Sequence, residues 1–225
     1  AVNQENLISE NFDAVVLATG VRPRALELEG ADHAKVLSYL DVLDEECLVG
    51  QKVAVIGAGG IGIDVAHYLT AQTPFSGDVP EYLQGYGILD SEKALALRKP
   101  KKREVTVLQR SSDKIGKRLG KTTGWAHIQT LKSHGVQLLS GATYLKIDDA
   151  GLHVKVSLKK GEEPQKIVMD VDNVIVAAGQ EPRLDMEASL REAGLEVHVI
   201  GGAKASLGLD AKTAINDGAE LAARF

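Results

Sequence analysis

Six consecutive residues, Gly57-Ala58-Gly59-Gly60-Ile61-Gly62, are the part of this 225-residue sequence best suited to chemistry. The chemistry is the capture of a pyrophosphate, with no bond made or broken. Gly57 permits a tight turn, Gly59 has no Cβ to hold a phosphate off the backbone, and Gly62 lets a helix pack closely on a strand. A helix starting here offers phosphates its unpaired N–H groups and the positive end of its dipole. A glycine-rich turn of this kind can also bind nothing, so the flanks decide. Residues 52–56 (KVAVI) read as a buried strand, and Ile61, Val65, Tyr68 and Leu69 as one apolar stripe of the helix that follows. That context favours a dinucleotide.

A second cluster bears on which dinucleotide. Residues 104–109 (EVTVLQ) read as the next strand of the nucleotide unit, and NAD-specific chains carry an Asp or Glu at its end for the ribose 2′-OH. Here Gln109-Arg110-Ser111-Ser112 follow, and no carboxylate appears before Asp113. A guanidinium fork flanked by hydroxyls suits a 2′-phosphate, which a carboxylate would repel. NADPH is therefore expected over NADH; the alternative is that Arg110 is only a surface charge. Lys117, Arg118 and Lys121 are also placed to surround phosphate or carboxylate groups, although exposed lysines usually do nothing specific.

No catalytic residue and no metal ligand is expected. His33, His67, His127, His134, His153 and His198 show no HxH or HExxH spacing, and there is no GxSxG, P-loop or Cys–His signature. Cys47 is the one cysteine, which excludes a CxxC pair or four-cysteine site within these residues and predicts a reducing, cytoplasmic setting. The net charge of −5 gives no reason to expect nucleic acid or an anionic membrane as partner. No apolar run approaches the ~18 residues of a membrane span. The opening, AVNQENLISENFDAVV, lacks an initiator Met and feeds directly into a strand, which predicts an excised fragment.

The elements that position these clusters follow in order. FDAVVL (12–17) is a strand closed by Ala18-Thr19-Gly20 and an X-Pro turn; DNVIV (172–176) repeats the device with Ala178-Gly179 and Gln180-Glu181-Pro182. Such a pair brackets an inserted nicotinamide domain in two-dinucleotide flavoenzymes. Leu37, Leu40 and Leu43 mark a helical patch, with Asp44, Glu45 and Glu46 solvated. An irregular insertion over 72–103 carries Phe75, Tyr82 and Tyr86 and ends in a basic run from Arg98 to Arg103, read as a solvated loop. Gly116, Gly120 and Gly124 interrupt helix until Thr123 caps one, with Trp125, Ile128 and Leu131 on one packing face. A third strand (135–140), an antiparallel meander over 143–171 and a strand at 197–200 ending in Gly201-Gly202 come next. Asp210 caps a last helix whose stripe of Ala211, Ala214, Ile215, Gly218, Leu221 and Ala222 is thin; Gly218 predicts close backbone packing.

Together VIGAGGIGIDVAHYL, VLQRSSDKIGKRLGKTTGWAHIQTL, YLKIDDAGLHV, VIVAAGQEPR and VHVIGGAKASLGLDAKTAI resemble the C-terminal half of the bacterial NADPH-dependent 2,4-dienoyl-CoA reductases, within the old-yellow-enzyme-related NADH:flavin oxidoreductases. The resemblance covers nearly the whole chain, and LGKTTGW is its most specific part. It implies an α/β fold in which a Rossmann-like NAD(P)-binding domain (50–171) is inserted in a partial FAD-binding domain (1–49 and 172–225). In that family a barrel holding FMN and binding the 2,4-dienoyl-CoA, and a cysteine-ligated 4Fe–4S cluster, precede this part; electrons run from NADPH to FAD, the cluster, FMN and the acyl thioester of fatty acid oxidation.

Carried over by residue, the resemblance assigns Gly57, Gly59, Gly60, Ile61 and Gly62 to the NADPH pyrophosphate and Arg110 with Ser111 to its 2′-phosphate. It assigns Thr19, Gly20, Gly179, Gly201 and Gly202 to the FAD side. That side is incomplete, because the sequence holds a single GxGxxG, and Gly202 stands where many flavoenzymes have an Asp for the ribityl chain. These residues alone are expected to be inactive on acyl-CoA. Two other readings stay open: the electron-donor half of a glutamate-synthase-like or amine-dehydrogenase-like flavoenzyme, and a non-catalytic NADPH-binding module.

Overall fold

The computed structural model describes residues 2–10, 12–44, 47–71, 103–158, 161–206, 208 and 210–225. Glu45, Glu46 and the expected insertion, with its aromatics and its basic run up to Lys102, lie outside the described residues. The chain divides by packing into two compact units, Ala25–Ala178 and the pair of segments Ala1–Arg24 and Gly179–Phe225.

In the larger unit β3 (Val36–Ser38), β4 (Lys52–Ile56), β5 (Glu104–Leu108), β6 (Gln137–Leu139) and β10 (Asn173–Val176) form one sheet in the order β3-β10-β4-β5-β6. Every pairing in it is parallel. A parallel sheet is covered on both faces, so its strands carry apolar side chains without alternation. In β4, Val53 and Val55 pack with Val65 and Leu69 of α3 (Gly60–Thr70), and with Ile128 and Leu131 of α4 (Gly124–Ser133). Ala54 and Ile56 face the other way, onto Leu152, Val154 and Val156 of β8 (Gly151–Val156). That second cover is the meander β7 (Thr143–Asp148), β8 and β9 (Gln165–Met169), antiparallel as expected. Burying a Val or Ile of β4 in this way is worth about 1.5–3 kcal/mol each.

The sheet takes in β3 and β10, which the cofactor-based division had set outside 50–171. The patch at 37–43 is correspondingly different from its expected stripe. Leu37 lies in β3, and only then does α2 (Tyr39–Leu43) begin, under a capping box of Ser38 and Asp41. Tyr39 and Val42 are its buried residues, while Leu40 and Leu43 are exposed. The box sets the helical phase and overrides the leucine spacing. In α3 the buried face is Ile63, Val65, Ala66 and Leu69; Tyr68 is exposed. In α4 Ile128 and Leu131 are buried, but Trp125 is 72% exposed and donates from Nε1 to the Thr122 carbonyl at 3.0 Å. Thr123 is the N-cap residue, yet its side chain makes no capping hydrogen bond.

The smaller unit has α1 (Gln4–Ser9), β1 (Ala14–Leu17), β2 (Val21–Pro23), β11 (Gln180–Pro182), α5 (Glu187–Glu192), β12 (Glu196–Val199) and α6 (Ala211–Ala222). β1 pairs with β12 in parallel and β2 with β11 antiparallel. Its core is small: Val15, Leu17, Leu190 and Val197. Asp210 caps α6 as expected, accepting from the Thr213 N–H at 2.7 Å. The close packing expected at Gly218 is not found. A Cβ there would meet only the Ile200 Cδ1 at 3.9 Å, an ordinary contact, and α6 has no buried residue. Among the described residues no helix is long and apolar enough to cross a membrane.

One carboxylate ties β4 to the approach of β10. Asp172 accepts from the Gln51 and Lys52 N–H groups at 2.7 and 2.8 Å, and these two bonds hold its carboxyl below the usual carboxylate range. A depressed carboxylate stabilises the fold above its unfolded pKa of ~3.9 and loses that effect as pH falls through the folded value. In urea unfolding, Asp172→Ala is therefore expected to be less stable than the parent chain at pH 7. The gap should close steadily below about pH 4.

Candidate functional site

The five parallel strands share one C-terminal edge. Ile56 and Leu108 are partners in the β4–β5 register, so the turns after both strands leave the sheet side by side. Gly57 follows one and Gln109 the other. On its opposite side β4 pairs with β10, Ile56 opposite Val176. The order therefore runs outward from β4 through β5 to β6, and the chain returns to β10 on the other flank. In open α/β sheets ligands bind at the strands' carboxyl ends where the order reverses in this way.

Gly57 is pinned at that point. Its N–H donates to the Leu108 carbonyl at 2.8 Å, and its φ is +112°, a left-handed conformation that disfavours side chains. A Cβ on it would stand 2.2 Å from the Ala177 carbonyl oxygen. Gly62, one turn into α3, faces back on the same place, where a Cβ would lie 1.9 Å from the Gly57 oxygen. The space at Gly57 and Gly62 is filled by the protein itself. Gly59 and Gly60 are different: both are exposed, and a Cβ on either would meet nothing within 4 Å. Gly59 is the N-cap of α3 and supplies no side-chain cap, so the first-turn N–H groups face outward to whatever lies there.

Arg110 and Ser111 are exposed on the neighbouring turn. This turn is braced: the Gly141 N–H donates to the Ser111 carbonyl at 2.9 Å, and the Asp113 N–H to Ser111 Oγ at 3.1 Å. Asp113 is the one acid of the turn, and its carboxylate is bonded to Lys117 Nζ at 2.8 Å, which holds its pKa down. Burial pushes the Tyr144 hydroxyl up, and the charge of Arg110 opposes that shift. The surface around the turn is thus cationic, with its single carboxylate neutralised. It can bind a phosphate dianion; it has no group arranged to transfer a proton. The residues present fit a nicotinamide dinucleotide phosphate.

The other predicted residues gather in the smaller unit. Gly201 and Gly202 follow β12, and Thr19 and Gly20 follow β1, at the same end of the parallel pair; the Ile200 N–H donates to Leu17 at 3.1 Å. Thr19 Oγ1 donates to the Arg183 carbonyl, and the Arg183 N–H to Gly20 at 3.0 Å. Gly179 takes φ +115° beside the Arg24 guanidinium, and the Arg24 N–H donates to its carbonyl at 3.1 Å. The two strand-to-glycine devices are therefore joined through their X-Pro tails and not through their strands. Asp217 of α6 accepts from the Gly201 N–H at 3.0 Å and from Lys204 Nζ at 2.8 Å, a turn-holding role that spacing along the chain did not reveal. The GxGxxG pattern at residues 57–62 has no second copy in the sequence.

Ala177 is the other residue that sequence reasoning missed at the nucleotide turn; its only signal is a small residue at the end of β10.

The sequence profile described as pyridine nucleotide-disulphide oxidoreductase matches residues 2–209. A metal reductase of Desulforamulus reducens is 27% identical over 203 residues, which cover 88% of this chain and 29% of that protein. The solved 2-naphthoyl-CoA reductase, in complex with 2-naphthoyl-CoA, superposes with a TM-score of 0.74 at 23% identity, covering all of this chain and 28% of that one. An engineered water-forming NADPH oxidase bound to NADPH gives a TM-score of 0.51 at 18% identity, covering 85% of this chain and 39% of that one. The chain thus spans under a third of the first two.

The glycines separate folding from binding. Gly62→Ala is expected to lose about 1–3 kcal/mol of stability through overpacking. Gly59→Ala should melt within about 2 °C of the parent and yet bind NADPH at least about tenfold more weakly, an effect of ~1.4 kcal/mol. Thermal melts with fluorescence titration check both.

Proposed function

The chain belongs to the pyridine nucleotide-disulphide oxidoreductase family, α/β oxidoreductase domains that bind FAD and NAD(P), and on that premise we propose that it is the NADPH-binding, FAD-reducing portion of a flavin and iron–sulfur reductase. The substrate of the whole protein is an unsaturated acyl thioester, most specifically a 2,4-dienoyl-CoA. The observation that carries the NADPH part is the register of Ile56 with Leu108, which sets the open Gly59–Gly60 backbone beside Arg110 and Ser111.

In this reading residues 50–171 hold NADPH. The N–H groups of Gly59, Gly60, Ile61 and Gly62 receive the pyrophosphate, and Gly57 shapes the turn that aims them. Arg110 grips the 2′-phosphate through its planar fork, and Ser111 adds a hydroxyl. When bound, NADPH supplies a hydride and FAD accepts it; the protein contributes positioning and electrostatics. Thr19, Gly20, Gly179, Gly201 and Gly202 line one side of the flavin. A cysteine-ligated 4Fe–4S cluster would draw on residues outside these 225, since Cys47 is the only cysteine here, and this reading places FMN and the acyl-CoA site with it.

Two features of known proteins support the reading. The engineered NADPH oxidase carries Ala, Arg and Ser in place of Asp, Ala and Met at three consecutive positions; this chain reads Gln-Arg-Ser at 109–111. The 2-naphthoyl-CoA reductase is itself a reductase crystallised with an acyl thioester.

Arg110→Glu is expected to weaken NADPH by about a hundredfold and NADH by less than about threefold, because only the former carries the phosphate that a carboxylate repels. Equal losses in calorimetric titrations would remove the assignment. Residues 1–225 mixed with NADPH, FAD and a dienoyl-CoA should show no acyl reduction above the enzyme-free rate. Measurable turnover would overturn the division of labour proposed here.

A further inference from the structure

We propose that Gln109 is a positioning residue for nucleotide choice, locking the turn that presents Arg110 and Ser111 to the 2′-phosphate; the inference rests on the NADPH reading above. Gln109 is the first residue beyond β5, and its backbone is fixed on both sides. Its N–H donates to the Leu139 carbonyl at 3.0 Å, and its carbonyl accepts from the Ala142 N–H at 2.9 Å. From that anchored position the side chain runs along the turn. Its Nε2 donates to the Ser111 carbonyl at 3.1 Å and to the Asp113 carbonyl. One NH₂ group thus braces two carbonyls, two and four residues ahead.

The consequences for the outer surface are specific. The Ser111 carbonyl also accepts from the Gly141 N–H, so Gln109 shares the bracing of Ser111 and alone supplies a side-chain donor to the Asp113 carbonyl. Ser111 Oγ accepts from the Asp113 N–H, and its hydroxyl also hydrogen-bonds the Asp113 carboxylate, so the serine is fixed within the turn. Asp113 is held where its carboxylate meets Lys117. A glutamate of the same length would lack the two donors and add a charge; an apolar side chain would lack the donors alone. The amide is therefore the side chain that closes this turn without adding a negative charge beside a phosphate.

The test compares Gln109→Met, which keeps length and removes the donors, with Arg110→Ala in parallel titrations of NADPH and NADH. Gln109→Met should weaken NADPH by about tenfold, the effect of losing roughly one net hydrogen bond's worth of preorganisation, and leave NADH within about twofold. If Arg110→Ala narrows the NADPH-to-NADH affinity ratio and Gln109→Met does not, the role of Gln109 is overturned while the NADPH site stands. If Arg110→Ala leaves the ratio unchanged, the NADPH site itself fails and this inference with it. Should Gln109→Met not fold, the unmutated chain decides by NMR. Its Gln109 side-chain amide protons should exchange slowly, and slower still with NADPH than with NADH. Fast exchange, or equal slowing by both nucleotides, overturns the proposal.

Discussion

The close approach of Gly57 to the Ala177 carbonyl is the constraint on which the larger unit turns. A Cβ there would lie 2.2 Å from that oxygen, and a Cβ on Gly62 would lie 1.9 Å from the Gly57 oxygen. Three backbone segments therefore meet without side chains between them: the end of β4, the first turn of α3 and the end of β10. This contact brings the start of α3 to the sheet edge, with the exposed Gly59 as its N-cap. Because β4 has β5 on its other flank in register, the same contact also decides which turn lies next to the phosphate end. Backbone packing here does what side chains do at most active sites.

The covering of the sheet follows from the same placement. α3 and α4 take one face and the β7–β8–β9 meander takes the other, so the strands between are apolar throughout. Such a sheet is stiff, since each of Val53 to Ile56 is almost wholly removed from water and repacking any of them opens a cavity. Stiffness matters for a site made of backbone, because N–H groups cannot re-aim by changing rotamer. Preorganised donors cost no reordering when an anion arrives.

How much could be read from residue order depended on the range of the interaction that decided each element. The strand, glycine turn and helix at 52–70 were readable because the signals are local: β-branched residues, then glycines whose φ or missing Cβ the turn requires. The meander was readable from alternation. The 37–43 patch was not, because Leu37 pairs with Ile175 of β10, 138 residues away, and no local pattern carries that pairing. Trp125 and Gly218 depart from expectation for a common reason. Residue type alone points to a packing partner, and in the described fold each faces open space or an ordinary contact. Ala177 and Asp217 act through contacts with Gly57 and Gly201 that residue spacing cannot express.

The two sets of predicted residues end in different physical situations, and that difference bears on their chemistry. In the larger unit the turn is followed by an eleven-residue helix whose N-cap offers no side chain, so dipole and N–H groups act together on an anion. In the smaller unit Gly201 already gives its N–H to Asp217, and that carboxylate also holds Lys204. The donor that a nucleotide could have used there is spent on the turn itself. A two-stranded parallel pair with three buried residues, joined by Leu190 of α5, is also a slight base, since parallel pairing normally needs both faces covered. The turn after β5 is locally cationic against the −5 of the whole chain, with Arg110 and Arg118 beside the Asp113–Lys117 pair. In the smaller unit, glycines with left-handed φ and a threonine bonded to the Arg183 carbonyl fix the turns among themselves.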